Sequence, residues 1–244
     1  MDMKIEVQGI AELRAEFGSL LPRQIRIAAL QAVDRTVDKT RDRMYSEMHK
    51  AFDRPTPYTL RALRKKAPTW QTLQGEVGFK EPWAPRAVKY LEPEVEGGPR
   101  KVKGFELAIQ QRVTTMNPQG QRGVYPVGTT FVPGRGARLN AYGNISPGQI
   151  QQILSGLQAQ QDRYANETPA SRKRAKRTGH YWATQRGIWF VSGQRMEMVL
   201  VATKTKPSYP VRYPFYSLAG RFADQTFPGE FEVALREALE KSRR

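Results

Sequence analysis

The clearest pattern of apolar positions runs from Pro22 to Phe52. Leu30, Val33, Val37, Met44, Met48 and Phe52 recur at spacings of three, four or seven, the signature of a helix with one apolar stripe. Asp34, Asp38 and Asp42 form another row beside Arg35, Lys39 and Arg43, and pairs such as Asp38 with Arg41 or Arg35 offset the like charges. A helix of about 30 residues is ~45 Å long, so it is expected to be the element on which its neighbours pack. Its stripe reads as core, with an oligomer contact as the other use. Ahead of it, Met3 to Val7 reads as a short strand, and Ile10, Leu13 and Phe17 as a helical turn. Pro55-Thr56-Pro57 ends the long helix. The same triplet offers an N-cap followed by proline, which predicts a short helix from Tyr58 to Lys66. Trp70, Leu73, Val77 and Phe79, interrupted by Gly75, predict a strand or hairpin.

Past Pro82-Trp83-Ala84-Pro85 and the acidic Glu92, Glu94 and Glu96, a helix is expected around Phe105, Ala108 and Ile109. Residues 114–149 hold 11 Gly or Pro in 36 positions, which argues for a long loop or arm that gains order on a partner. Ser146-Pro147-Gly148-Gln149 reads as a capping box. It opens an amphipathic helix with Ile150, Ile153, Leu154 and Leu157 on one face. Residues 165–180 read as a basic loop. Two strands follow, Tyr181 to Ser192 and Met196 to Thr203, joined through Gly193 as a hairpin. Pro207, Pro210 and Pro214 confine any further strand to an edge. A helical stretch is expected from Tyr213 to Phe222. Pro228 then opens a last helix with Phe231, Leu235, Ala238 and Leu239 on one face. The expected fold is α+β, a single domain over 1–244. Its long N-terminal helix and its C-terminal helix pack on a small, mostly antiparallel sheet, with loops at 114–149 and 165–180.

Charge sharpens this outline. The 244 residues carry 40 Lys+Arg against 23 Asp+Glu, a net of +17. Between residues 107 and 223 there are 16 basic residues and three acids, Asp162, Glu167 and Glu197. A field this one-sided draws polyanions, either nucleic acid or an acidic protein surface. The candidate contacts are the run Arg172, Lys173, Arg174, Lys176 and Arg177, and a second cluster of Arg61, Arg64, Lys65 and Lys66. Arg and Lys would meet phosphates without reading sequence. Tyr181, Trp182, Trp189 and Phe190 could stack on bases, although aromatic residues in strands are ordinarily core or cross-strand pairs.

The chemistry of a catalyst is not evident. There is no Cys, hence no thiolate metal site, disulfide or Cys nucleophile. His49 and His180 both read as surface residues and lack metal-ligand spacing. No GxSxG, GxGxxG or GxxxxGK[ST] occurs, and Gly134-Arg135-Gly136 is followed by no helix that would complete a phosphate loop. No catalytic residue, cofactor or metal is expected. No apolar run approaches the length of a membrane span, and the opening MDMKIEVQGIAELRAEF lacks a signal-peptide core. A soluble protein made in the cytoplasm is expected, with no membrane partner.

Several segments carry a family likeness: Ala28-Ala29-Leu30-Gln31-Ala32-Val33-Asp34-Arg35 in the long helix, Tyr142-Gly143-Asn144-Ile145-Ser146, Gly187-Ile188-Trp189, and Pro207-Ser208-Tyr209-Pro210-Val211-Arg212-Tyr213-Pro214 before the last helix. In these, and in element order, the chain resembles the bacteriophage minor tail protein Z, or tail-completion, family. The likeness is better at both ends than in the middle, and residues 82–165 extend beyond the shorter members. The resemblance implies a non-enzymatic virion protein of the head–tail junction or upper tail. It would be present as a ring of copies and would touch neighbouring connector or tail proteins, and DNA phosphates in the channel. Two other readings of the residues stay open: a basic nucleic-acid-binding accessory protein, and a metal-dependent nuclease whose acids converge in space.

Overall fold

The structure, a computed structural model, describes residues 2–6, 22–80, 85–117 and 119–242. The turn expected at Ile10, Leu13 and Phe17 lies outside these residues. In chain order the elements are β1 (Asp2–Glu6), α1 (Pro22–Ala51), α2 (Pro57–Leu60), β2 (Leu63–Lys66), β3 (Gln74–Phe79), α3 (Pro85–Glu96) and β4 (Gly98–Pro99). There follow α4 (Gly104–Arg112), β5 (Thr114–Met116), β6 (Arg122–Val124), β7 (Thr130–Pro133) and α5 (Pro147–Gly156). After a 3-10 turn (Arg163–Ala165) come α6 (Pro169–Thr178), β8 (His180–Thr184), β9 (Gly187–Ser192), β10 (Arg195–Thr203), β11 (Ser208–Tyr209) and α7 (Phe215–Ser242). The protein is α+β.

The single domain expected from the sequence divides into two compact units. One comprises residues 1–98 and 209–244, and the other residues 99–208. Each has its own core, which is the physical reason for the division. The chain leaves the first unit along β4 and re-enters it along β11.

In the first unit α1 and α7 lie antiparallel. Ala28 and Ala32 meet Ala234 and Ala238, small side chains that let the helices approach closely. Arg35 reaches Glu237 at 2.7 Å, and Lys39 pairs with Glu230. Further along α1, Val33, Val37, Met44 and Met48 join Val77, Phe79, Tyr213, Phe215, Ala219 and Ala223 in the main core. The Tyr213 hydroxyl donates to the Met44 carbonyl at 2.9 Å. Beneath them lies an antiparallel sheet in the order β1-β3-β2. Gly75 in β3 is required by this packing: a Cβ there would lie 2.4 Å from Val37 Cγ2 and 3.1 Å from Val33 Cγ1.

Two local expectations change here. The helix after Pro57 ends at Leu60, and Leu63–Lys66 is strand β2. The Thr56 hydroxyl does cap that helix, accepting from Thr59 N. Pro228 does not open a helix but sits within α7. An interior proline costs ~3 kcal/mol. Ala219 and Ala223 before it and Ala234 and Ala238 after it all pack on α1, so tertiary contact overrides the break.

The second unit is built on a six-stranded sheet, order β6-β5-β8-β9-β10-β7, antiparallel except where β5 meets β8. One face of this sheet supplies Ala183, Ile188, Leu200 and Phe131 to a core closed by Ile109 of α4, by Val113 just after that helix, and by Ile153 and Leu154 of α5. The run read as a loop at 114–149 is therefore largely built: β5, β6 and β7 are three of the six strands. Each is only three or four residues long; β6 pairs locally with β5, whereas β5 and β7 join the sheet through the remote β8 and β10. Tyr181–Ser192 is two strands rather than one, while the hairpin through Gly193 forms as expected. Ser146 caps α5 by accepting from Gln149 N at 3.3 Å. The Gln149 side chain does not bond back; it accepts from Arg138 N at 2.6 Å and donates to the Gly136 carbonyl at 3.1 Å.

Candidate functional site

The charge follows the division into units. Residues 99–208 contain 17 Lys+Arg and four acids, a net of +13, whereas residues 1–98 and 209–244 together net +4. Three of the four acids of the basic unit are engaged locally. Glu106 is fully buried in a bidentate ion pair with Arg100, at 2.7 and 2.8 Å, and accepts from the backbone N–H of Lys103 and Phe131. Burial pushes its carboxyl up, but the Arg100 guanidinium and the two backbone donors outweigh burial and hold it below its ordinary value. Glu197 pairs with Arg195 at 2.7 Å, and Asp162 caps the 3-10 turn by accepting from Tyr164 N. Glu106 carried no signal in the sequence that set it apart from other acids; only its three-residue spacing from Lys103, ahead of an apolar run, hints at its backbone bond.

The basic run lies on a helix, not in the loop expected at 165–180. Thr168 accepts from Ser171 N, Pro169 occupies the first turn, and Gly179 ends α6. Gly179 has a positive φ of 129°, and a Cβ there would lie 2.3 Å from Phe190 Cζ, so this position demands glycine. Ala175 is buried against the unit, while Arg172, Lys173 and Arg174 are exposed. None of these three forms an ion pair among the described residues; Arg172 makes one long contact, 3.4 Å, with Gln158 Oε1. Lys176 and Arg177 belong to the same helix. Between α5 and α6 is an open cleft of about 600 Å³. Tyr181 and Phe190 line it, their rings 5.3 Å apart, and Glu167 and Arg174 flank it. Burial raises the Tyr181 phenol above its ordinary value, and nearby Arg138 opposes the rise.

The second cluster belongs to the other unit and is largely neutralised. Lys65 pairs with Asp38 at 2.6 Å, and Lys66 and Arg64 approach Glu76 at 3.4 and 3.8 Å. Arg61 is exposed. Asp38 and Glu76 stand on α1 and β3, so this neutralisation follows from the fold and could not be read along the chain. The cluster is an ion-paired face, whereas α6 presents cations without such partners.

Of the aromatic residues singled out, Tyr181 and Phe190 pack on the core side of the sheet. Trp182 is exposed, and Trp189 is half-buried with its indole N–H donating to Thr184 Oγ1 at 3.1 Å. His49 is exposed, in edge-on contact with Tyr45. His180 is half-buried. Among the described residues no group of three or more His, Asp or Glu side chains could hold a metal ion, and no helix is long and apolar enough to cross a membrane. Comparison of the chain with known protein families, with curated proteins and with solved structures gives no match.

Proposed function

We propose that this chain is a non-enzymatic structural protein of a tailed bacteriophage, a subunit of a ring at the head–tail junction or upper tail. Its basic unit would bind a polyanion there. The observation that carries the polyanion contact is the charge of residues 99–208, a net of +13 that the unit's own acids leave uncompensated. Arg172, Lys173 and Arg174 stand at its surface without ion pairs. Folding gains nothing from this helix's charges, since Arg172 with Lys176 and Lys173 with Arg177 are like-charge positions four apart, a spacing that is destabilising. An external anion, either DNA phosphates in a channel or the acidic face of a neighbouring ring, removes that repulsion. The assignment to a virion rests on the sequence resemblance. Rings of identical subunits close through heterologous contacts, and the long α1–α7 pair gives such a subunit a rigid frame.

The test is genetic and visual. Disrupting the gene in its phage should leave heads without attached tails, or particles that lose DNA, and the protein supplied in trans should restore them. Labelled protein should appear at the junction or upper tail in electron micrographs of particles. Normal particles without the protein would overturn the reading.

A further inference from the structure

The six-stranded sheet of the second unit has a second face, opposite the core. Residues directly paired across strands project to the same side, and alternate residues along a strand share it. Trp182 pairs with Trp189, and Trp189 with Met198. Thr184 faces Met116 on one side and Gly187 on the other, and Met116 faces Arg122. Past the irregularity in β10, Val201 pairs with Gly187 and with Val132. These rows place Arg122 and Val124 of β6, Trp182 of β8, Trp189 of β9, Met196 and Met198 of β10 and Val132 of β7 on one surface. Exposure agrees: Val124 is 69% exposed, Met196 53%, Trp182 41% and Val132 39%, whereas Thr115, Ala183, Ile188 and Leu200, on the opposite side, are buried.

An apolar surface spread across five strands is an interaction site rather than scatter. Its chemistry selects the occupant. Two indoles stand on neighbouring strands, so two flat rings are offered at about the 4.8 Å spacing of adjacent strands. Among the described residues the strand register places no carboxylate on this surface: Glu197 alternates to the other side with its partner Phe190. Arg122 lies on it, and exposed Arg186 stands in the turn joining β8 to β9. A second copy of the same face would bring two units of net +13 together, which the electrostatics oppose. Base–indole stacking with phosphates held by flanking cations satisfies both the aromatic surface and the charge. Duplex DNA, whose bases are already stacked, satisfies only the charge. We therefore infer that the open face of this sheet, centred on Trp182 and Trp189, binds single-stranded nucleic acid. This site is distinct from α6, which packs on the Tyr181–Phe190 side.

The experiment is a fluorescence-anisotropy titration of the full chain with a labelled dT oligomer of about 16 nucleotides, with a duplex of equal length in parallel. Trp182→Ala should weaken dT binding by about tenfold or more and leave duplex binding unchanged. Trp182→Phe, which keeps a ring, should retain most of the affinity. Neutralising Arg172, Lys173 and Arg174 with Gln should weaken duplex and dT binding together. On the unaltered protein, photocrosslinking to a bromodeoxyuridine oligomer should place the adducts on peptides containing Trp182 or Trp189; this readout does not depend on how a variant folds. Failure to bind dT, unchanged dT affinity in Trp182→Ala, adducts confined to α6, or a Trp182→Ala effect confined to self-association or to capture of an acidic protein would overturn the inference. None of these results bears on whether particles need the protein.

Discussion

The contact between α1 and β3 can be tested as an interlock. Gly75→Ala places a methyl group where Val37 Cγ2 now lies, at a nominal separation of 2.4 Å. Valine in a helix holds essentially one χ1 rotamer, so the clash is relieved by shifting backbone rather than by rotating a flexible tip. Overpacking of this kind costs about 1–3 kcal/mol, and loss of a glycine from the unfolded chain returns about 0.4–1. The net expectation is a loss of about 1–2 kcal/mol. Val37 is fully buried. Removing its two methyl groups in Val37→Ala costs about 0.8 kcal/mol each in transfer, and the cavity brings the loss to about 2–3. In the double variant the new methyl occupies part of the space vacated, so the two losses should not add. A coupling of about 1–2 kcal/mol in favour of the pair is expected. Urea unfolding followed by far-UV circular dichroism and by intrinsic fluorescence gives the four free energies, with the slope checked for each variant because two units can unfold separately. Additivity within about 0.5 kcal/mol would refute the interlock.

Glu106→Ala should destabilise the second unit by about 3–5 kcal/mol, because it removes the carboxylate that balances the nearly buried Arg100 guanidinium and leaves two backbone donors unmet. Since the folded carboxyl sits below its unfolded value, its contribution is full above about pH 4.3 and falls away as pH drops through the folded value. The stability difference between wild type and Glu106→Ala, measured by denaturant titration, should therefore narrow in acid; a difference that widens contradicts the assignment. Gly179→Ala forces a side chain into positive φ and against Phe190 and should lower the melting temperature, whereas Gly193→Ala, with nothing within 4 Å, should lower it less. Replacing Arg172, Lys173 and Arg174 with Gln should leave melting nearly unchanged. If all three meet phosphates, the slope of log affinity for duplex against log salt should become shallower by about 2.7. An unchanged slope would reduce α6 to a solvated helix.

Sequence and structure agree where the signal is local and long. The α1 stripe repeats through eight turns, so its extent emerges within a residue of the structure. The Ser146 and Thr56 caps are each set by a side chain and an amide three positions apart. Disagreement concentrates where partners are remote. β5, β6 and β7 are too short for alternation to register, and the partners of β5 and β7, strands β8 and β10, lie about 70 residues downstream. Charge density masked the helical character of α6, although the Thr-Pro start and Gly179 were present as its boundaries. Trp182 and Trp189 were visible as aromatic residues in strands. Their projection away from Tyr181 and Phe190 needed the register. The division into two units escaped linear reading because its frame is discontinuous: the backbone N–H groups of Arg212 and Tyr213 both donate to the Glu94 carbonyl, closing over the whole intervening segment.

That discontinuity governs how the protein is made. A ribosome delivers residues at about 5–20 per second. The α1 stripe therefore emerges roughly 10–40 seconds before α7, about 200 residues later, supplies Ala234 and Ala238 to cover it. Residues 99–208 are contiguous and can close their own core meanwhile. The nascent chain thus passes through a stage in which the later-made unit is finished and the earlier-made one still shows a bare apolar helix, a natural target for a chaperone. The frame is completed only once α7 has left the ribosome and can pack on α1.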